Sequence, residues 1–130
     1  MNQDNQPLLN DWQQQLENWL EQHHTETDGA HDIAHFRRVW KTARTLNQTE
    51  GLPGDELVLL AAAYLHDIVS LPKNHPERHL SSRLAAHEAC TILQEMDFHQ
   101  EKQIAVAHAI EAHSFSANLP AETIEAKLLQ

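Results

Sequence analysis

Cysteine is almost missing from this chain: Cys90 stands alone among 130 residues. A lone thiol closes no internal disulfide and builds no multi-thiolate metal site, so the chain fits a reducing, cytoplasmic setting. Glycine is scarce at three residues, and four Val and six Ile stand against sixteen Ala and seventeen Leu. Straight-chain helix formers that far outnumber β-branched residues exclude a sheet protein and predict an all-α domain. Long apolar runs are also lacking. The longest, Leu57 to Leu65, is about half of the ~20 residues a bilayer span needs, and no basic-then-apolar leader opens the chain, so no membrane partner is expected. Basic residues are few: nine Lys and Arg against nineteen Asp and Glu, a formal charge of −10 that repels a nucleic-acid polymer.

What basic charge exists is clustered. Arg37, Arg38, Lys41 and Arg44 form one group and Lys73, Arg78 and Arg83 another, while the first 30 residues hold six acids and no base. Local cationic patches on an acidic molecule suit a small phosphorylated ligand. The length fits one domain, 1–130, with residues 1–7 read as a polar, disordered tail. A first helix is expected from a cap at Asn10 or Asp11 to about His24, carried by Trp12, Leu16, Trp19, Leu20 and His23. A second runs from near Ala30 to a stop at Gly51, with Ile33, Phe36, Val39, Trp40, Ala43 and Leu46 on its apolar stripe. Asp55 caps a third, apolar nearly all round from Leu57 to Ile68 and therefore central. Further helices are expected from Ser81 or Ser82 to Met96, from Gln100 to about His113, and from Pro120 or Glu122 onward.

Eleven histidines are many for this length, and two groups carry chemistry. His66 and Asp67 sit side by side in the apolar third helix. An ionised carboxylate cannot be buried alone, so Asp67 calls for a metal or a basic side chain. Neighbours on a helix lie about 100° apart and can straddle one ion. The same pair also suits a helix end, Asp67 accepting loop amides and His66 resting in the core. In His31, Asp32, Ile33, Ala34, His35 the two histidines share a helix face. His35 aligns with Val39, Ala43 and Leu46, so it faces inward, where an imidazole with acidic neighbours is metal-ligand material. That spacing also imitates a zinc-peptidase HExxH with Asp for Glu, which would need a third ligand elsewhere. Arg37, Lys41 and Arg44 read as a solvated helix face, Trp12, Trp19 and Trp40 as core, and Cys90 as a small core residue.

The ordered set His35, Arg38, Val39, then Ala63, Leu65, His66, Asp67, Ile68, then His113, Ser114, Phe115 resembles the HD-domain superfamily of metal-dependent phosphohydrolases, and within it a bacterial subgroup of small hydrolases. The resemblance covers roughly residues 28 to 130 and implies a helical bundle of five to six helices. It makes His35, His66 and Asp67 metal ligands, and Asp67 and Asp32 catalytic, with Asp32 orienting a ligand. His31, Arg38, Lys73 and His113 would contact the substrate phosphate. It further implies a divalent cofactor and hydrolysis of a nucleotide or other small phosphorylated substrate by metal-activated water. Two imidazoles suit Mn²⁺, Fe²⁺ or Zn²⁺ better than Mg²⁺. A metal-free HD-like ligand-binding or sensing module is the alternative, and a histidine-rich helical interaction domain is the purely structural one.

The superfamily pattern closes with an Asp on the helix after the His-Ser stretch, and no acid follows Glu125 here. The expectation is that part of the domain lies beyond residue 130, unless Glu111, water or another chain completes the site. Exposed Leu128 and Leu129 would then favour a homodimer. Loss of a carboxylate ligand costs at least the ~10- to 100-fold typical of its supporting partners, so the 130-residue form is expected to bind metal weakly and hydrolyse poorly. Calorimetric Mn²⁺ titration of this form and of a C-terminally extended one checks it: equal affinities would refute the expectation.

Overall fold

A computed structural model describes residues 6–23, 33–52, 54–66, 68, 76–77, 80–112 and 123–129. Among them six helices form and no strand: α1 Gln6–His23, α2 Ile33–Thr49, α3 Glu56–Leu65, α4 Ser81–Glu95, α5 Gln100–Ala112 and α6 Ile124–Leu129. The chain is all-α, as its composition requires. Helix α1 opens at Gln6, ahead of the cap expected at Asn10 or Asp11, so Gln6 and Pro7 belong to helix and not to a tail. Proline is tolerated there because the first turn has no intrahelical acceptor for its missing N–H.

Helix α3 is the axis of the bundle. Asp55 caps it, accepting a hydrogen bond from the Leu57 N–H at 3.0 Å. Every residue from Leu57 to Leu65 is buried, because neighbours cover the helix on all sides. Helix α1 contributes Trp12, Leu16 and Leu20 to this core, α2 contributes Phe36, Trp40 and Ala43, α4 contributes Ala85, Ala89 and Leu93, and α5 contributes Val106 and Ile110. Trp19 packs against the core only partly buried. Leu46, expected on the buried stripe of α2, is 42% exposed.

A tight turn and three side-chain contacts set the helix directions. Gly51, at φ 63°, ends α2 in the left-handed region, and the chain turns back with Leu52 N–H donating to the Asn47 carbonyl at 2.9 Å. Asn47 then clamps Gly54 on both sides, donating to its carbonyl at 3.2 Å and accepting from its N–H at 3.0 Å. A Cβ on Gly54 would meet Asn47 Oδ1 at 2.6 Å, so the clamp needs glycine. This turn makes α2 and α3 antiparallel. Lys102 at the start of α5 pairs with Asp55, so α5 runs parallel to α3, and Glu125 of α6 accepts the Asp55 N–H at 2.7 Å. Arg83 meets Glu111 at 3.5 Å, which makes α4 antiparallel to α5. One end of the bundle therefore gathers the starts of α2 and α4 with the finishes of α3 and α5.

A polar network, buried at Glu17 and Tyr64 and open to solvent at Arg37, locks α1, α2 and α3 together. Arg37 donates two hydrogen bonds to the Glu17 carboxylate, both at 2.8 Å, and the Tyr64 hydroxyl donates a third at 2.6 Å. Gln13 donates to the Tyr64 oxygen at 2.9 Å. Arg37 keeps its solvated face, with a side chain 59% exposed, while its inner edge pairs with Glu17; Arg44 is more covered than its spacing suggests, pairing with Glu56 at 3.4 Å and lying over the Trp40 ring. Helical spacing showed both on an outer face but could not show what that face meets. Arg37's hydrogen bonds hold the Glu17 carboxyl below the usual glutamate range against the opposing effect of burial, and burial pushes the Tyr64 hydroxyl upward. A lowered carboxyl pKa adds stability that is complete above the ordinary value of 4.5 and disappears as pH falls through the lower folded value. Glu17→Gln should therefore lower stability at pH 7 and flatten its decline below about pH 4.5, measured by urea unfolding at a series of pH values. Leu60→Ala, in the centre of α3, should cost about 2–5 kcal/mol in the same assay at pH 7.

Candidate metal centre

At the end of the bundle where α2 begins and α3 finishes, two histidines face each other. His35 lies one turn into α2 and His66 is the C-cap of α3, and their ring centroids are 5.9 Å apart. Phe36 sits beside both, 5.7 Å from the His35 ring and 6.0 Å from that of His66, with its ring edge-on to His66. It also touches Tyr64 at 6.1 Å. One aromatic side chain thus links the polar network to the imidazole pair.

His66 is buried, and its Nδ1 lies 2.8 Å from the Ala63 carbonyl oxygen. A carbonyl only accepts, so Nδ1 carries the proton. In the neutral ring the lone pair is then on Nε2, as in histidines that bind metals through that atom. With metal–nitrogen bonds of ~2.1 Å, two rings on one ion have centroids up to ~6.5 Å apart, and the observed pair lies inside that span. The donor types and spacing fit a divalent ion at this point. Among the described residues, no group of three or more His, Cys, Asp or Glu comes together to hold a metal. His35 and His66 are the two candidate ligands among the described residues.

Of the other residues read from the sequence, Arg38 is described: it lines a cleft of about 440 Å³ between α2 and α6, together with His35. His31, Asp32, Asp67, Lys73 and His113 lie outside the described residues. In sequence, Asp32 directly precedes α2, Asp67 follows His66, and His113 follows α5. Glu111, weighed as a substitute carboxylate, faces Arg83. Cys90 is partly buried, and burial pushes its thiol pKa up, away from nucleophile chemistry.

Sequence reading missed Phe36 as the spacer between the rings and Glu17 as the anchor behind them. A signal existed for the second. Tyr64 interrupts an otherwise apolar helix, and a buried tyrosine hydroxyl needs a partner; Glu17 lies next to Leu16 and three residues before Leu20, on the edge of the buried stripe of α1.

The sequence pattern of the HD domain family matches residues 32–130, most of the chain. The chain belongs to the HD-domain family. The helical bundle agrees with that membership, HD domains being all-α, and the family as a whole is one of metal-dependent phosphohydrolases acting on small phosphorylated substrates. No curated protein matches the chain in sequence. Helix α1 and its Glu17 precede the matched region, and no described helix is long and apolar enough to cross a membrane.

His66→Ala should remove the imidazole with the Nδ1–Ala63 hydrogen bond and weaken Mn²⁺ binding at least ~10-fold. Gln in its place, which cannot reproduce the ring geometry, should restore little, as read by calorimetric titration of the folded variants.

Proposed function

We propose that this HD-domain protein is a metal-dependent phosphohydrolase that cleaves a nucleotide or other small phosphorylated substrate with metal-activated water. The observation that carries the reading is the approach of His35 to His66 at 5.9 Å, across two helices of a chain in this family. In this reading His35, His66 and Asp67 hold the ion, with Mn²⁺, Fe²⁺ or Zn²⁺ favoured over Mg²⁺ by the nitrogen donors. A divalent ion there supplies a Lewis acid and lowers the pKa of its water toward 7.

The protein's own groups do the rest. The Ala63 carbonyl fixes the His66 tautomer and ring orientation, and Phe36 holds the two imidazoles at their spacing while excluding water from one side. Asp67 orients the attacking water, and Asp32 orients a ligand imidazole. Arg38, beside His35 in the cleft, places a fixed positive charge where the equatorial phosphate oxygens gain negative charge. His31, Lys73 and His113 are assigned to the same phosphate.

A Mn²⁺-supplemented phosphatase screen over phosphomonoesters and nucleoside phosphates tests the assignment. His35→Ala, His66→Ala and Asp67→Asn should each reduce kcat/KM by at least ~100-fold with helical content intact by circular dichroism, and Arg38→Ala by about 10- to 100-fold. Activity that survives either histidine substitution would overturn the metal assignment.

A further inference from the structure

The cleft beside His35 is graded in polarity. His35, Val39, Thr42 and Leu46 lie at helical spacing on one face of α2, and the eleven residue steps from first to last span ~16 Å of axis. His35 and Arg38 occupy one end. Leu46 is at the other, and Leu128 and Leu129 of α6 form the facing wall. Away from the His35 end, Thr42 supplies the only side-chain hydrogen-bonding group among the described lining residues.

A volume of about 440 Å³ lies within the ~300–1,000 Å³ of small-molecule sites, which combine an apolar lining with a few placed polar groups. A nucleoside would bring a ribose and a base whose donors and acceptors meet Val39, Leu46 and Leu129, with Thr42 as the one described side-chain partner there, and each polar group that loses water unpaired is costly. A hydrocarbon gains from the same surface. We propose that the cleft binds the organic half of the substrate, and that this half is an apolar chain or ring. The substrate class is then a phosphate monoester of a hydrophobic alcohol, its phosphate at Arg38 and its body directed toward Leu46. The inference rests on the reading of His35 and His66 as the hydrolytic centre, and it adds which phosphate ester that centre accepts.

Calorimetric titration of the full chain with methyl-, butyl- and octylphosphonate, with and without Mn²⁺, reads the cleft apart from turnover. Affinity should rise by up to ~4-fold per methylene, the equivalent of about 0.8 kcal/mol. Leu46→Glu should abolish that increment without changing methylphosphonate affinity, and Leu46→Met should keep it. Because Leu46 is already 42% exposed, neither change threatens the fold, and thermal melts verify this. Affinity independent of chain length, or insensitive to Leu46→Glu, overturns the proposal. So does a dimer, seen by sedimentation, that Leu46→Glu disperses while affinity stays flat, since the cleft is then an interface between copies. In the hydrolysis assay, octyl phosphate should exceed AMP in kcat/KM. Preference for AMP would overturn the cleft assignment and leave the hydrolase reading standing, whereas length-dependent phosphonate binding without hydrolysis of any ester would support the cleft and overturn the hydrolase reading.

Discussion

A single carboxylate, that of Glu17, ties together the three helices on which the candidate centre depends. Left unpartnered in the core it would be prohibitively costly, and its burial stands only because Arg37 from α2 and Tyr64 from α3 both donate to it. Those bonds decide how each helix is rotated. With Arg37 turned toward α1, Phe36 and Trp40 face the core and His35 and Arg38 face the side where α6 lies. With Tyr64 turned toward α1, His66, two residues and about 200° further round, faces α2. A helix that precedes the family-matched region thus sets the orientation of the two helices that carry the histidines.

The opposite end of the bundle complements this arrangement. Asn47, Gly54, Asp55, Lys102 and Glu125 close around the α2–α3 turn, so the axial register of α2, α3, α5 and α6 is pinned there. The imidazole end is then assembled from helix termini, where side chains can converge without breaking a backbone ladder. Rigid clamping at one end and converging functional groups at the other is the division of labour expected when a site must hold its geometry.

Much of the fold was legible along the chain because its signals are local. Asp55 as cap and Gly51 as stop follow from short-range chemistry and stand where expected, whereas the apolar α3, expected to Ile68, ends at Leu65 with His66 as its C-cap. Pairing of His35 with His66 was legible only through the family pattern, since no spacing within one helix specifies a distance between two. Arg44 and Leu46 were misread for a related reason. A helical wheel gives a residue's direction and not its neighbour, so Arg44 looked solvated and Leu46 looked buried, while Glu56 and Trp40 cover the first and a cleft opens beside the second.

By itself, the order of residues determined the all-α class, the helix limits to within a turn or so, the membership in a phosphohydrolase family and the candidate ligand types, because propensity, capping and motif order are properties of consecutive residues. Tertiary structure alone decided that two imidazoles meet behind one phenylalanine, that a glutamate outside the family region steers them, and that an apolar cleft extends from Arg38. Each of these joins residues 20 to 90 positions apart, and contact over such separations is settled by how helices pack.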